Sequence, residues 1–474
     1  MTKLLLSTLS EASAKVLQPA YDPAAVDIGV VHFGPGAFHR AHQAFYFDAL
    51  LAKDPRWGIS GVSLKSPGVR DALAPQEGLY VLAQLDAETT FRVIGAIRET
   101  LVASENPDAV FARLAAPTTK VVTMTVTEKG YCLGGDGKLD LSNTDIAHDL
   151  AAPQRPDSVI GYVVEGLRRR REAGLAPFTI ISCDNLADNG HKLRDAVVAF
   201  AGKLDAGLGE WIATNTAFPR TMVDSITPAT DDALRARVAA ETGFDDAWPI
   251  QREAFVQWVV EDVLPADAPD LASVGVTLTN DVAAFEGAKL RLLNGAHSTL
   301  AYVGSLKGYE TVGDAMADAE LAGFVRSMML EDIAPSLSTP PGLDIPTYVE
   351  AILGRFRNPE IRHLLSQIAW DGSKKLPFRI LETTAEALEA GRPVDRLAVP
   401  IAAWMAFVAA RAKAGTPLVD PLADKLAALG NAATGAPQDV DAFLGLTEIF
   451  PASLAANPIY AAAVKAAYAQ LSLG

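Results

Sequence analysis

The chain is poor in the residues that mark several protein classes. Only two of its 474 residues are cysteine, Cys132 and Cys183, and they lie far apart with no CxxC spacing. A disulfide scaffold is therefore excluded, and a reducing compartment suits the composition. Neither HxxxH nor CxxC occurs among the seven histidines and two cysteines, so the sequence suggests no metal site. Long apolar runs are missing too. The longest uncharged one, LAVPIAAWMAFVAA (397–410), contains Pro400 and is shorter than the roughly 20 residues a membrane span needs. It reads as a buried helix. In the opening MTKLLLSTLSEASAK, Glu11 interrupts the apolar run before it reaches the length of a signal core. Excess positive charge is also absent. The net charge of −16 argues against nucleic acid or an anionic membrane as partner. The expectation is a cytoplasmic protein that is a monomer or small homo-oligomer.

What is present is globular composition, 49% hydrophobic and 21% charged, at a length that suits two domains or three. DIGVVHF (27–33) is a β-rich run, followed by Gly34-Pro35-Gly36 and the helical AFHRAHQAFYFDALL. Strand, glycine turn and helix in that order open a dinucleotide-binding βαβ unit. The candidate cofactor-binding residues are Phe33, Gly34, Gly36, Ala37 and Phe38. Further strands are expected at 57–64, 80–86, 91–97, 120–126 and 178–184, with helices at 107–116 and 157–174. This alternation predicts a mostly parallel sheet covered on both faces.

The fingerprint departs from the usual pattern at two points. His39 stands where a third glycine is usual. The acid that commonly follows the second strand and holds a ribose hydroxyl is missing, and Leu64-Lys65-Ser66 stands there instead. Lys65 either faces a 2′-phosphate, which would favour NADP over NAD, or is simply solvated. His39 and His42, beside the turn, are read as local hydrogen-bonding residues. His148 and His363 are read as surface residues, and Trp370 either as core or as a wall of the site.

From about residue 281 the pattern is helical and alanine-rich, with a proline-rich loop at 336–347. The expected fold class is α/β, a Rossmann-type N-terminal domain (1–280) with a mainly α-helical C-terminal substrate and catalytic domain (281–474). Within the latter, KLRLLNGAHS (289–298) sets polar groups among leucines. At about 100° per residue, with Lys289 at zero, Glu286 falls near ~60°, His297 near ~80° and Asn294 near ~140°. One polar arc of roughly 140° results. Either the arc lines a cavity, where a partly desolvated Lys289 would serve as general base, or Lys289 snorkels from a half-exposed helix. Glu286 either relays a proton or forms an ion pair with Lys289.

Seven stretches in order, GPGAFHRAHQAF (34–45), TVTEKGYC (125–132), SCDNLADNGH (182–191), FPRTMVDSITP (218–228), FVQWVVED (255–262), KLRLLNGAHS (289–298) and DGSKKLP (371–377), resemble the long-chain mannitol dehydrogenase family. That family includes polyol dehydrogenases and fructuronate, tagaturonate and mannonate oxidoreductases. The resemblance spans about 28 to about 380. It implies metal-free, NAD(P)-dependent oxidation of a secondary alcohol of a polyol, or reduction of the ketose or uronate, in a cleft between the two domains. It puts the catalytic lysine on Lys289, the carbonyl-polarising asparagines on Asn185 and Asn294, and the active-site histidine on His297. It makes Asp224, in Val223-Asp224, and Lys375 substrate-binding residues. Ser225 stands where the family often has arginine, and Gln367 where one mannitol 2-dehydrogenase branch has arginine. Gln367 can bond a neutral hydroxyl but cannot neutralise a carboxylate. A uronate would need a cation such as Lys375 or Arg379. A nucleotide-sensing Rossmann protein without turnover is the rival from another class, and it would need no base.

Overall fold

The computed structural model describes residues 2–471 and divides into two compact units, Met1–Val282 and Ala283–Gly474. The longer strands of the first unit are β1 (Ile28–Phe33), β2 (Gly58–Ser63), β3 (Tyr80–Leu85), β4 (Thr90–Ile94), β5 (Ile97–Val102), β6 (Val121–Met124), β7 (Thr179–Ser182), β8 (Thr221–Asp224), β9 (Ile250–Glu253) and β10 (Gln257–Glu261). Five of them form one parallel sheet in the order β5-β2-β1-β6-β7. The chain works outward from β1 to one side and then returns to its other side at β6. This order is that of a Rossmann sheet, and it puts the topological switch point between β1 and β6.

Alternate side chains of these strands enter two separate cores, as a period of two requires. Val31, Phe33, Val122 and Met124 join one core with helices Pro107–Ala115, Val159–Glu172 and Asn189–Leu204. Val30 and Val121 join the other, with the helix Gln43–Leu51. Burial on both faces explains why the strands read as continuous apolar runs.

Two expectations are corrected here. The run FRVIGAI is not one strand. Thr90–Ile94 turns antiparallel onto β3 in a separate four-stranded sheet, and Ile97–Val102 starts afresh beside β2. The break falls at Gly95, whose N–H donates to Asp48 Oδ1 at 2.8 Å, an atom that also accepts the Tyr21 hydroxyl at 2.5 Å. The helix expected over 37–51 is also divided, into Ala37–Ala41 and Gln43–Leu51, because His42 leaves helical geometry at φ −117 and ψ −85.

The second unit is helical. Its central helix, Asp395–Lys413, is buried along much of its length and packs on Gly295–Leu306, Ala423–Ala432 and Pro458–Leu471. Three segments, Lys289–Asn294, Met328–Ile333 and Pro377–Leu381, are π-helical. The first packs against both of the others. No helix among the described residues is long and apolar enough to cross a membrane.

The Asp48 carboxyl is 3% exposed, and burial pushes it up to about 6 despite its hydrogen bonds to Tyr21 and Gly95. A carboxyl raised in the folded state favours folding below its unfolded value, near 4, and that contribution is lost as pH rises through about 6. Asp48→Asn keeps the Oδ1 acceptor and removes the buried charge. The variant should be more stable than the parent at pH 8 by about 3 kcal/mol, because a rise from near 4 to about 6 is roughly a hundredfold change in proton affinity and each tenfold is worth about 1.4 kcal/mol. The gain should vanish towards pH 4. Urea midpoints at several pH values check this. A variant weaker than the parent throughout would contradict it.

Candidate active site

The turn after β1 is built for close backbone approach. Gly34 has φ +86, and a Cβ there would stand 2.2 Å from the Thr125 carbonyl oxygen. Its N–H donates to the Val62 carbonyl at 2.9 Å, and its own carbonyl accepts the Thr125 hydroxyl at 2.7 Å. Gly34 is thus locked between β2 and the end of β6. Gly36 is different: a Cβ on it would meet only the Gly34 carbonyl oxygen, at 3.9 Å, and the residue is exposed. Gly61 on β2 lets Pro35 lie close, since its Cβ would stand 3.1 Å from Pro35 Cβ. A constrained turn with one open glycine, beyond the strand ends at the switch point, fits a dinucleotide pyrophosphate.

Of the other candidate cofactor residues, Phe33 is fully buried in the core, so only its backbone is free to serve the turn. Ala37 and Phe38 are half-buried at the start of the short helix, and the Phe38 ring stacks on His42 at 4.9 Å. Lys65 follows the end of β2 with its side chain 71% exposed, 4.0 Å from Asp145. His42 bonds locally through Nδ1, 3.0 Å from Gln43 Nε2, and also reaches a remote strand, its Nε2 2.8 Å from the Gln257 carbonyl oxygen.

At the end of β7, Asp184 and Asn185 divide the work. Asp184 is a structural acceptor: its carboxylate takes the N–H groups of Val126 and Thr127 at 3.1 and 2.8 Å and the Tyr131 hydroxyl at 2.7 Å. Burial raises its pKa. Asn185, one residue on, is exposed beyond the strand end. Asn189, which no sequence pattern singles out, joins β7 to β8. Its amide donates to the carbonyls of Asp184 and Thr221 at 3.1 and 3.0 Å, and its Oδ1 accepts the Thr221 N–H at 3.0 Å. Asp224, buried at 4% exposure, ends β8 opposite Gln257.

In the second unit, Lys289 and Asn294 open and close a π-helical segment, and His297 lies in the first turn of the helix that follows. The wheel drawn at 100° per residue does not apply there. An i→i+5 hydrogen-bond pattern widens the turn, so residues five apart approach the same side. Lys289 and Asn294 are therefore angularly closer than the ~140° that α-helical spacing assigns. Lys289, Glu286 and Asn294 are all half-buried.

The segment is clamped on two sides. Arg291 forks onto Glu386 at 2.6 and 2.7 Å. Arg379, in the π segment Pro377–Leu381, donates to the Asn294 carbonyl at 3.3 Å and to Ser298 Oγ at 3.1 Å. Gly295 permits this approach, because a Cβ there would meet the Arg379 carbonyl oxygen at 3.1 Å.

His297 is 7% exposed, against the rings of Phe356 at 4.5 Å and His363 at 5.0 Å. Burial first, then the nearby His363, Arg355, Arg379 and Lys375, hold its pKa well below the usual imidazole value. It is neutral at physiological pH. Lys375 is itself lowered by burial and by Arg379, and its Nζ donates to the Ile368 carbonyl at 3.3 Å.

Two readings fail. His363 is not a surface residue but sits half-buried, edge-on to His297. Trp370 is not core, being 45% exposed in a groove with Trp404, Phe407 and Arg411. Gln367, three residues earlier, is exposed. His148 is at the surface as expected, 3.2 Å from Asp149.

Two family models match nearly the whole chain: the mannitol dehydrogenase Rossmann domain over residues 28–273 and the mannitol dehydrogenase C-terminal domain over residues 281–472. A D-mannonate oxidoreductase of Escherichia coli is 40% identical over 98% of each chain. A polyol:NADP oxidoreductase of Gluconobacter oxydans is 39% identical over 86% of each. The solved mannitol 2-dehydrogenase of Pseudomonas fluorescens, a ternary complex with NAD and D-mannitol, is 37% identical with a TM-score of 0.81, covering 99% of this chain and 97% of that one. The chain thus belongs, through both of its domains, to the mannitol dehydrogenase family.

Proposed function

We propose that this chain is a metal-independent, NAD(P)-dependent oxidoreductase that interconverts the C2 secondary alcohol of a hexitol or pentitol and the corresponding ketose. The observation that carries the proposal is the placement of Lys289, Asn294 and a neutral His297 along one segment whose opening turn is π-helical. Lys289 is the general base and takes the hydroxyl proton at Nζ. The Asn294 and Asn185 amides donate to the oxygen as it gains negative charge, and preorganised donors of this kind contribute a few kcal/mol each. His297, uncharged, hydrogen-bonds a neighbouring hydroxyl and orients the chain. Asp224 accepts from further hydroxyls, and Gln367 and Lys375 hold the distal end. Glu286, one turn before Lys289, passes the proton towards water. The bound nicotinamide supplies the hydride acceptor. NAD is the first candidate cofactor, and NADP is accommodated if Lys65 faces a 2′-phosphate. Both cysteines are buried free thiols, which suits the cytoplasm, and we place the enzyme there as a monomer or small homo-oligomer.

A second reading rests on a specific observation. Arg355, Lys375 and Arg379 all act on His297, and both hydrogen-bond partners of Arg379 are neutral oxygens. A half-buried guanidinium satisfied only by neutral oxygens favours an anionic ligand, which would make the substrate a sugar acid and the enzyme a fructuronate reductase.

A steady-state panel of mannitol, sorbitol, arabinitol, fructose and fructuronate, each with NAD(H) and NADP(H), separates the two. Polyols and fructose as best substrates support the first reading, and fructuronate alone supports the second. Cofactor binding without turnover of any of them would indicate a sensor. Lys289→Ala should abolish turnover while cofactor affinity stays near the parental value, and a near-normal rate would remove Lys289 as the base. Asn294→Ala should slow the chemical step by roughly 100-fold, the loss typical of one oxyanion donor. Single-turnover kinetics measures it.

A further inference from the structure

The third glycine of a dinucleotide fingerprint lets the helix pack closely on the first strand. This chain has His39 there, and the structure answers the substitution with a second imidazole. The His39 ring lies face to face with that of His32 on β1, centroids 3.3 Å apart and planes within 15°. Both residues are 0% exposed. Burial pushes His32 down to about 3 and His39 well below its usual value, so both rings are neutral and can stack without charge repulsion.

His32 also reaches the turn. Its Nδ1 lies 2.7 Å from Thr123 Oγ1, and its Nε2 lies 3.0 Å from Thr125 Oγ1 and 3.1 Å from the Gly34 carbonyl oxygen. Thr123 is on β6 and Thr125 follows that strand, so these contacts cross the switch point. Gly34 is the residue at φ +86 on which the direction of the turn depends.

We propose that His32 and His39 act as one positioning unit for the cofactor turn. His39 sets the spacing between the helix Ala37–Ala41 and β1 by stacking. His32 fixes the Gly34 carbonyl and thereby the direction of the backbone N–H groups that meet the dinucleotide pyrophosphate. The inference rests on the assignment of the turn as the cofactor site. Neither imidazole touches substrate or transfers a proton.

The test uses the full-length protein and follows cofactor binding directly, by NADH fluorescence titration, beside kcat at saturating cofactor. His32→Ala should raise the cofactor Kd at least 10-fold, with a smaller fall in kcat. His39→Ala should do likewise. The double variant should cost no more than the larger single effect, because the two residues act as one unit. Thr125→Val should raise Kd, and Thr125→Ser, which restores the hydroxyl, should recover most of the loss. If His32→Ala does not fold, as judged by circular dichroism, the Thr125 pair carries the test. Folded variants with parental Kd, additive single effects, or a fall in kcat with Kd unchanged would each overturn the proposal. A parent protein that binds neither NADH nor NADPH would overturn the turn assignment and this inference together, and so is distinguishable from failure of the pair alone.

Discussion

The wide turn at Lys289–Asn294 is the constraint on which the proposed chemistry depends. An α-helical path would spread the amine and the amide over a large arc, and an i→i+5 path draws them towards one side. Such a turn is rare in proteins and is concentrated at functional sites. It persists only when neighbours hold it. Here Arg291 is tied to Glu386 on one side, and Arg379 takes the Asn294 carbonyl on the other. The two arginines differ in a way that bears on function. Arg291 is neutralised by carboxylates, whereas Arg379 meets neutral oxygens and keeps its charge beside His297.

That retained charge organises the second unit's electrostatics. Arg355, Lys375 and Arg379 each disfavour protonation of the buried imidazole. A neutral His297 can both donate and accept a hydrogen bond, as the proposed contact with a substrate hydroxyl requires. The same cations are the reason a sugar acid stands as a second candidate substrate. His363 belongs to this environment through its edge contact with His297, although it is 66 positions away in the chain, counting from 297 to 363.

The first unit solves a different problem, holding a tight glycine turn still. Burial of both sheet faces fixes β1, β2 and β6, and the groups that bind the turn come from these strands or from just beyond them. Asp184 plays the corresponding part at the end of β7, where its carboxylate gathers the Val126 and Thr127 amides. Asn185 is thereby left at the strand end, exposed, while its neighbour does the structural work.

Much of this was legible in the residues alone. Continuous apolar runs marked the doubly covered strands, Gly34 and Gly36 marked the turn, and LAVPIAAWMAFVAA marked the buried helix, because each depends on neighbours within a few positions. The seven ordered motifs carried the family. Beyond the helix break at His42 and the exposure of Trp370, four features stayed hidden: the break at Gly95, the π turn, the burial of His363 and the stacking of His39 on His32. Each is decided by a partner remote in sequence. Asp48 takes the Gly95 N–H, Arg379 holds the Asn294 carbonyl, His363 abuts His297, and Thr123 and Thr125 fix His32. Local pattern determines which segments become strands and helices. Only tertiary contacts, through burial and long-range hydrogen bonds, determine where a helix widens, where a strand stops and which histidines lose their charge.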